Sequence, residues 1–268
     1  MLTFGVVTDE HFGPQAQFGG KLRKLTERAP ELVRAFATTM REQVRPDFVV
    51  NLGDCIEDES PAADLERYRS CLDLLRSAGV ELVNVAGNHD RIHLDDATLR
   101  RAWGLAPAGP LYRSFDRAGV HFVVLATQET KDVSVRIDDE QLSWLEADLA
   151  ATAHPTVVFM HHSAAEQDLR GNRWFEQRPH LCLVRERKRL RQLFESGRTR
   201  LVINGHLHWN HLDVIDGIPY VTLQSLVENV DDDAPGRPAA AHAVVRIGER
   251  RIVVEVEGAQ PCRYQFDC

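Results

Sequence analysis

The sequence predicts an α/β fold, and three observations predict it. Short runs of β-branched and other apolar residues alternate with longer segments whose apolar residues recur at helical spacing. Five of the runs end on a glycine or a polar cluster: Asp9-Glu10-His11, Gly53-Asp54, Gly87-Asn88-His89-Asp90, His161-His162 and Gly205-His206-Leu207-His208. Open α/β sheets bind their ligands at the carboxyl ends of strands, so these tips are where chemistry is expected. At 268 residues, 43% apolar and 27% charged, the chain suits one globular domain over 1–268 with a substantial core.

In chain order, Leu2 to Val7 are β-formers, and the strand empties into Thr8-Asp9-Glu10-His11-Phe12-Gly13-Pro14, where Gly and Pro stop it. Residues i and i+2 of an extended segment point the same way, so Asp9 and His11 can reach one ion together. Leu22, Leu25, Leu32, Val33 and Phe36 fall near helical spacing, with Pro30 as a kink or boundary, and Pro46 ends that helix. Asp47 to Leu52 reads as the second strand. The acidic run Glu57-Asp58-Glu59 leads into Ser60-Pro61, a cap and first position for a helix to Ser77. Those three carboxylates are expected to face water or to help the helix start. A third strand begins at Glu81 and runs into the Gly87 tip, followed by a short helix near Asp95 to Trp103.

From Leu111 to Leu125 two strands join at an Asp116-to-Gly119 turn, with His121 a strand side chain rather than a ligand. Asp138 to Ala150 is read as a helix with Leu142, Leu145 and Leu149 on one face, and Pro155 to Met160 as a buried strand. The segment 162–180 carries no clear period and is the candidate substrate cap. The basic run from Val184 to Arg191 resolves into a helix whose stripe is Val184, Leu190, Leu193 and Phe194, leaving the arginines in water. Arg200 to Asn204 then forms a strand that feeds Gly205. Further strands are predicted at 214–215, 218–223, 243–247 and 252–256, with a polar loop at 231–238.

Composition excludes several function classes. A net charge of -8 argues against non-specific nucleic-acid binding, which needs a basic surface. No apolar stretch approaches the roughly 20 residues that span a bilayer. With no basic segment ahead of Phe4, no secretion signal is expected, which points to a cytoplasmic protein. Five cysteines without a Cys-x-x-Cys pair fit reduced thiols; a Cys262–Cys268 pair is a minor alternative.

The five tips together describe a metal site. Two ions held about 3.5–4 Å apart need a ligand that touches both, and a carboxylate with two oxygens does this; Asp54 is the candidate bridge. Imidazole nitrogens mixed with carboxylate and amide oxygens suit Zn, Mn or Fe better than Mg or Ca. His206 and His208, two residues apart, can each face a different ion.

Taken as a set, Asp9-x-His11, Gly53-Asp54, Gly87-Asn88-His89-Asp90, His161 and Gly205-His206-x-His208 resemble the motifs of the calcineurin-like metallophosphoesterases. The resemblance spans Asp9 to His208. It implies a four-layer α-β-β-α sandwich of two mixed β-sheets flanked by helices, with a dinuclear metal centre at the sheet ends. It further implies one ion on Asp9, His11, Asp54 and His208 and a second on Asp54, Asn88, His161 and His206. The family's His-His-Pro-Pro element appears here as His161-His162-Ser163-Ala164; His161, which directly follows the apolar strand, is preferred over His162 as ligand.

The implied chemistry is hydrolysis at phosphorus by a water activated between the ions. His89 would protonate the leaving oxygen. Asp90 either orients His89 or shapes the turn, and Asn88, His89 and His162 are expected to touch substrate. Within the family the chain is similar to the small phosphodiesterases, which include class III cyclic-nucleotide phosphodiesterases and glycerophosphodiesterases. A weaker likeness, in Phe4-to-Asp9 and Leu223-to-Glu228, is to manganese-dependent ADP-ribose/CDP-alcohol diphosphatases. Phosphomonoesterase activity and a non-catalytic metal-bearing scaffold complete the alternatives.

Overall fold

The computed structural model describes residues 1–130 and 132–267. Fourteen strands and five α-helices form the chain, in two six-stranded sheets and one small hairpin. The first sheet has the order β14 (Cys262–Asp267), β13 (Arg251–Glu257), β12 (His242–Ile247), β1 (Leu2–Val7), β2 (Phe48–Asn51), β3 (Glu81–Asn84). The second runs β10 (His211–Ile215), β11 (Ile218–Thr222), β9 (Thr199–Asn204), β8 (Thr156–Met160), β5 (Val120–Val124), β4 (Arg113–Arg117). Strands β1, β2 and β3 are parallel to one another, as are β5, β8, β9 and β11; the outer pairs are antiparallel. Both sheets are therefore mixed.

The sheets face each other across a core in which the rings of Phe4, Phe48, Phe122 and Phe159 meet at 4.9–5.8 Å between centroids. Helices α1 (Ala29–Thr39) and α2 (Pro61–Arg76) cover the outer face of the first sheet, while α4 (Asp139–Ala151) and α5 (Arg187–Ser196) cover that of the second. This is the expected four-layer sandwich. It explains why β2, β5 and β8 are apolar throughout rather than alternating: a strand buried on both faces has no wet side. Helix α2 begins as read, with Ser60 Oγ accepting from Ala63 N at 3.4 Å. The short α3 (Asp96–Ala102) is capped in the same way by Asp95.

Three local expectations need correction. Pro30 lies in the first turn of α1, where its missing N–H costs nothing, so Leu22 and Leu25 are buried from the preceding loop and not from a helix. Helix α5 starts at Arg187, leaving Val184 buried ahead of it. Strand β14 was not anticipated, although Cys262, Tyr264 and Phe266 alternate with Arg263, Gln265 and Asp267 at the strand period and pack inward. The suggested pairing of Cys262 involves Cys268, which lies outside the described residues. No helix among the described residues is long and apolar enough to cross a membrane.

Because the parallel strands of both sheets point the same way, the carboxyl tips of β1, β2, β3, β8 and β9 collect at one end of the sandwich. Backbone hydrogen bonds stitch them: Asp9 N to Gly53 O at 2.9 Å, Gly205 N to His161 O at 3.1 Å, and Leu226 N to Thr8 O at 3.1 Å.

Candidate metal centre

At the tips the backbone turns through the left-handed region without glycine. Asp9 (φ 55°), His11 (46°), Asp54 (58°), His206 (67°) and His208 (56°) all sit there. Each such residue costs about 1–3 kcal/mol and persists where its surroundings over-determine it, as at functional sites. Glycine appears where backbones must touch: a Cβ on Gly87 would stand 2.1 Å from Asp54 Oδ1, and one on Gly205 would stand 2.0 Å from Thr8 Oγ1.

The result is two groups of facing donor atoms. In the first, His208 Nε2 lies 3.4 Å from Asp9 Oδ1 and 3.2 Å from His11 Nε2. In the second, His161 Nε2 lies 3.2 Å from each of Asp54 Oδ2, Asn88 Oδ1 and His206 Nδ1. Asp54 also belongs to one tight cluster with Asp9 and His161, which places its carboxylate between the two groups.

The outward nitrogens test whether a metal fits. His161 Nδ1 donates to Leu52 O at 2.9 Å and His206 Nε2 to Leu181 O at 3.0 Å. His11 Nδ1 lies 3.0 Å from Glu57 Oε2, and His208 Nδ1 lies 2.7 Å from Glu228 Oε2. Carbonyl and carboxylate oxygens only accept, so in neutral rings the hydrogens sit outward and the inward nitrogens present lone pairs to one another. Facing lone pairs in a buried site call for positive charge between them, and Asp9 Oδ1 is buried there without a hydrogen-bond partner. The carboxylates set the field: burial alone would depress the His161 imidazole, yet Asp54 and Asp9 lift it to about 10. Burial likewise opposes the charge on His208, but Asp9 and Glu228 raise it to about 9. His206, buried and beside His161, falls to about 3. Carboxylate, amide and imidazole donors with outer partners on every histidine fit a pair of transition-metal ions.

The remaining predicted residues are placed as follows. His89 lines the cleft over this centre, its Nδ1 2.5 Å from Asp58 Oδ1 and its backbone N donating to Asp54 Oδ1 at 2.9 Å. Burial disfavours the imidazolium of His89, while Asp54 and Asp58 outweigh it and raise its pKa. Asp90 does not touch that ring. Its carboxylate accepts from the backbone N of Asp54, Cys55 and Gly87 at 2.9–3.0 Å and braces the β2 tip against the β3 tip. His162 is buried behind His161 and His206, its Nδ1 2.7 Å from Thr127 Oγ1, and it does not line the cleft.

Glu57 and Asp58, expected to face water or start a helix, instead hold His11 and His89. Their spacing from Asp54 was the signal available in the sequence; nothing local said which histidine each would meet. Lys24, Glu57 and His11 form a chain, Lys24 Nζ bonding the same Glu57 oxygen that faces His11. The cleft itself has a volume of about 340 Å³, with Phe18, Lys24, His89, Glu129, Trp174 and Arg178 around it. The 162–180 segment packs onto the centre: the Phe175 ring stacks on His206 at 4.7 Å and Trp174 lies 5.1 Å from His208.

The calcineurin-like phosphoesterase family profile matches residues 2–210. The chain belongs to this family. It is 26% identical over 216 residues to a probable cyclic nucleotide phosphodiesterase of Synechococcus sp., covering 77% of this chain and 73% of that one. It is 30% identical over 185 residues to a cAMP/cGMP dual specificity phosphodiesterase of Mycobacterium tuberculosis, covering 66% of this chain and 53% of the relative. Among solved structures, a dimetal phosphatase from Danio rerio superposes with a TM-score of 0.78 at 18% identity over 98% of both chains, a likeness of fold. Family and geometry agree: this calcineurin-like phosphoesterase is a metal-dependent phosphoric ester hydrolase with a dinuclear site, acting on small phosphoesters.

Proposed function

We propose that the enzyme is a phosphodiesterase for a nucleotide-like or glycerol-phosphate-type substrate. In this reading Asp9, His11, Asp54 and His208 hold one ion, and Asp54, Asn88, His161 and His206 the other. The observation that carries it is the pair of facing donor groups sharing Asp54. When bound, the ions supply an activated water and neutralise phosphoryl oxygens.

The protein's own groups do the rest. Asp58 fixes the His89 ring through Nδ1, which leaves Nε2 as the atom that passes a proton to the leaving oxygen. Asn88 holds its amide oxygen toward the second donor group while its chain neighbour His89 is pinned to Asp54, so proton donor and phosphorus site move as one body. Phe18, Trp174 and Phe175 present rings along the cleft against which a base can lie and from which water is excluded. The 162–180 segment, which carries two of these rings, is then a cap on the site. The relatives named for cyclic nucleotides support this substrate class.

A diphosphatase acting on an ADP-ribose or CDP-alcohol type of substrate is the second reading. It is favoured by a further cavity of about 300 Å³ behind Trp174, lined among others by Arg173 and Gln224, which gives a longer substrate room. Assays with bis(p-nitrophenyl) phosphate, p-nitrophenyl phosphate, 3′,5′-cyclic AMP and ADP-ribose, with and without chelator, decide between them. Diester turnover above monoester turnover and abolished by chelator is expected; preference for the monoester refutes the proposal, and preference for ADP-ribose selects the second reading.

A further inference from the structure

Glu228 is buried, and its two oxygens serve groups of different purpose. Oε2 faces His208 Nδ1 at 2.7 Å. The indole Nε1 of Trp174 donates to both oxygens, at 3.1 Å and 3.2 Å, and Arg173 Nη2 donates to Oε1. Arg173 is itself held by Asn229 O and Asp232 Oδ1, each at 2.8 Å. A second clamp runs beside this one: Asn172 Nδ2 donates to Leu207 O at 2.9 Å, while Asn172 Oδ1 accepts from the backbone N of Trp174 and Phe175. The strip 172–175 is thus fastened to the backbone one residue before His208 and, through Glu228, to His208 itself.

Packing does not fix the indole alone. Trp174 lines the substrate cleft on one side and the 300 Å³ cavity on the other, so the hydrogen bond to Glu228 is what selects its position between two open spaces. A carboxylate that accepts from a metal-binding imidazole aims that ring and raises its basicity. The same carboxylate here also aims a wall of the cleft.

We infer that Glu228 is a positioning residue that couples the Trp174 wall of the substrate cleft to the ion site of Asp9, His11 and His208. Ion affinity and the placement of the wall then depend on one another, and a change at either end is felt at the other because linkage is reciprocal. The inference rests on the proposed assignment of His208 to an ion. It deepens that reading by naming the residue through which substrate contact and ion binding communicate.

The test measures Mn²⁺ affinity directly, by titrating the metal-stripped full chain and following bound metal and tryptophan fluorescence. In the unaltered protein Mn²⁺ is expected to change the emission of Trp174, identified as the signal lost in Trp174→Phe. Glu228→Gln, an isosteric change, is expected to weaken Mn²⁺ binding roughly 10–100-fold and to remove the Trp174 response even when Mn²⁺ is saturating. At saturating Mn²⁺ its KM for bis(p-nitrophenyl) phosphate stays raised while kcat recovers, a split that loss of metal alone would not produce. Trp174→Phe, which leaves every proposed metal donor in place, is expected to weaken Mn²⁺ binding by several-fold. Unchanged Mn²⁺ affinity in Trp174→Phe, or full recovery of KM in Glu228→Gln at saturating Mn²⁺, overturns the coupling. A wild-type chain that takes up no Mn²⁺ or other divalent transition metal removes the His208 assignment instead, so the two failures are told apart.

Discussion

Asp58 offers the sharpest single test of how the proton donor is built. Its Oδ1 lies 2.5 Å from His89 Nδ1, and nothing else among the hydrogen bonds of the described residues holds that ring. A hydrogen bond to a charged group contributes about 1.5–3 kcal/mol. The Asp58 side chain is 29% exposed, so solvent screening reduces this to about 1–2 kcal/mol. Were that loss felt wholly in the transition state, Asp58→Asn would lower kcat/KM about 5–30-fold. His89→Ala, which removes the donor itself, should cost about 10²–10⁴-fold with both metals retained. The decisive measurement is the double-mutant cycle, with metal content checked in every variant. In the His89→Ala background Asp58→Asn should change turnover by less than about 2-fold, since the group it positions is gone. The effect should also grow as the leaving alcohol becomes more basic, because a poor leaving group depends most on protonation. Additive losses in the double variant, or equal losses for nitrophenyl and alkyl leaving groups, would refute the role.

Asp54→Ala should abolish paired metal binding and activity together; elemental analysis finding a full pair would contradict the bridge. Gly87→Ala, whose Cβ would stand 2.1 Å from Asp54 Oδ1 and 2.2 Å from its backbone N, should displace that carboxylate and cost most of the activity. Near-native turnover in that variant would show that the tips can separate. At the opposite pole, buried His121 lies between Asp116 Oδ1 at 2.6 Å and Asp148 Oδ2 at 2.9 Å. Burial works against its charge, but the two carboxylates raise its pKa. A raised folded value means that the stabilisation is complete below the unfolded value of about 6.5 and fades as pH climbs through the folded one. The Tm gap between the unaltered protein and His121→Gln should therefore narrow from pH 6 upward; a gap independent of pH would rule out the ion pair as its source.

Much of the centre was legible because its signals are local. A β-forming run that stops on Gly-Asp or Gly-Asn-His announces a strand tip whatever the rest of the chain does, and Asp9, His11, Asp54, Asn88, His161, His206 and His208 are all announced in this way. The choice of His161 over His162 also followed from position, since the residue directly after β8 carries its side chain toward the neighbouring tips. The helix caps at Ser60 and Asp95 and the hairpin turn at Asp116 to Gly119 needed only nearest neighbours. Where reading failed, identity was visible and partner was not. Glu57 and Asp58 looked like ordinary acids before a helix, Asp90 like a turn residue beside His89, and Glu228 like the end of an apolar stretch.

By itself, then, the sequence determined which residues stand at strand ends and which are chemically able to hold a metal. Backbone stiffness and side-chain period are properties of a few neighbouring residues, and they survive without knowledge of the fold. Tertiary structure alone decided that Glu57 aims His11, that Asp58 aims His89, and that Glu228 joins His208 to Trp174. His11 and His208 are 197 residues apart in the chain, yet their Nε2 atoms lie 3.2 Å from each other. Hydrogen bonds reach about 3 Å, and only the packing of two sheets tip to tip brings such distant groups within that range.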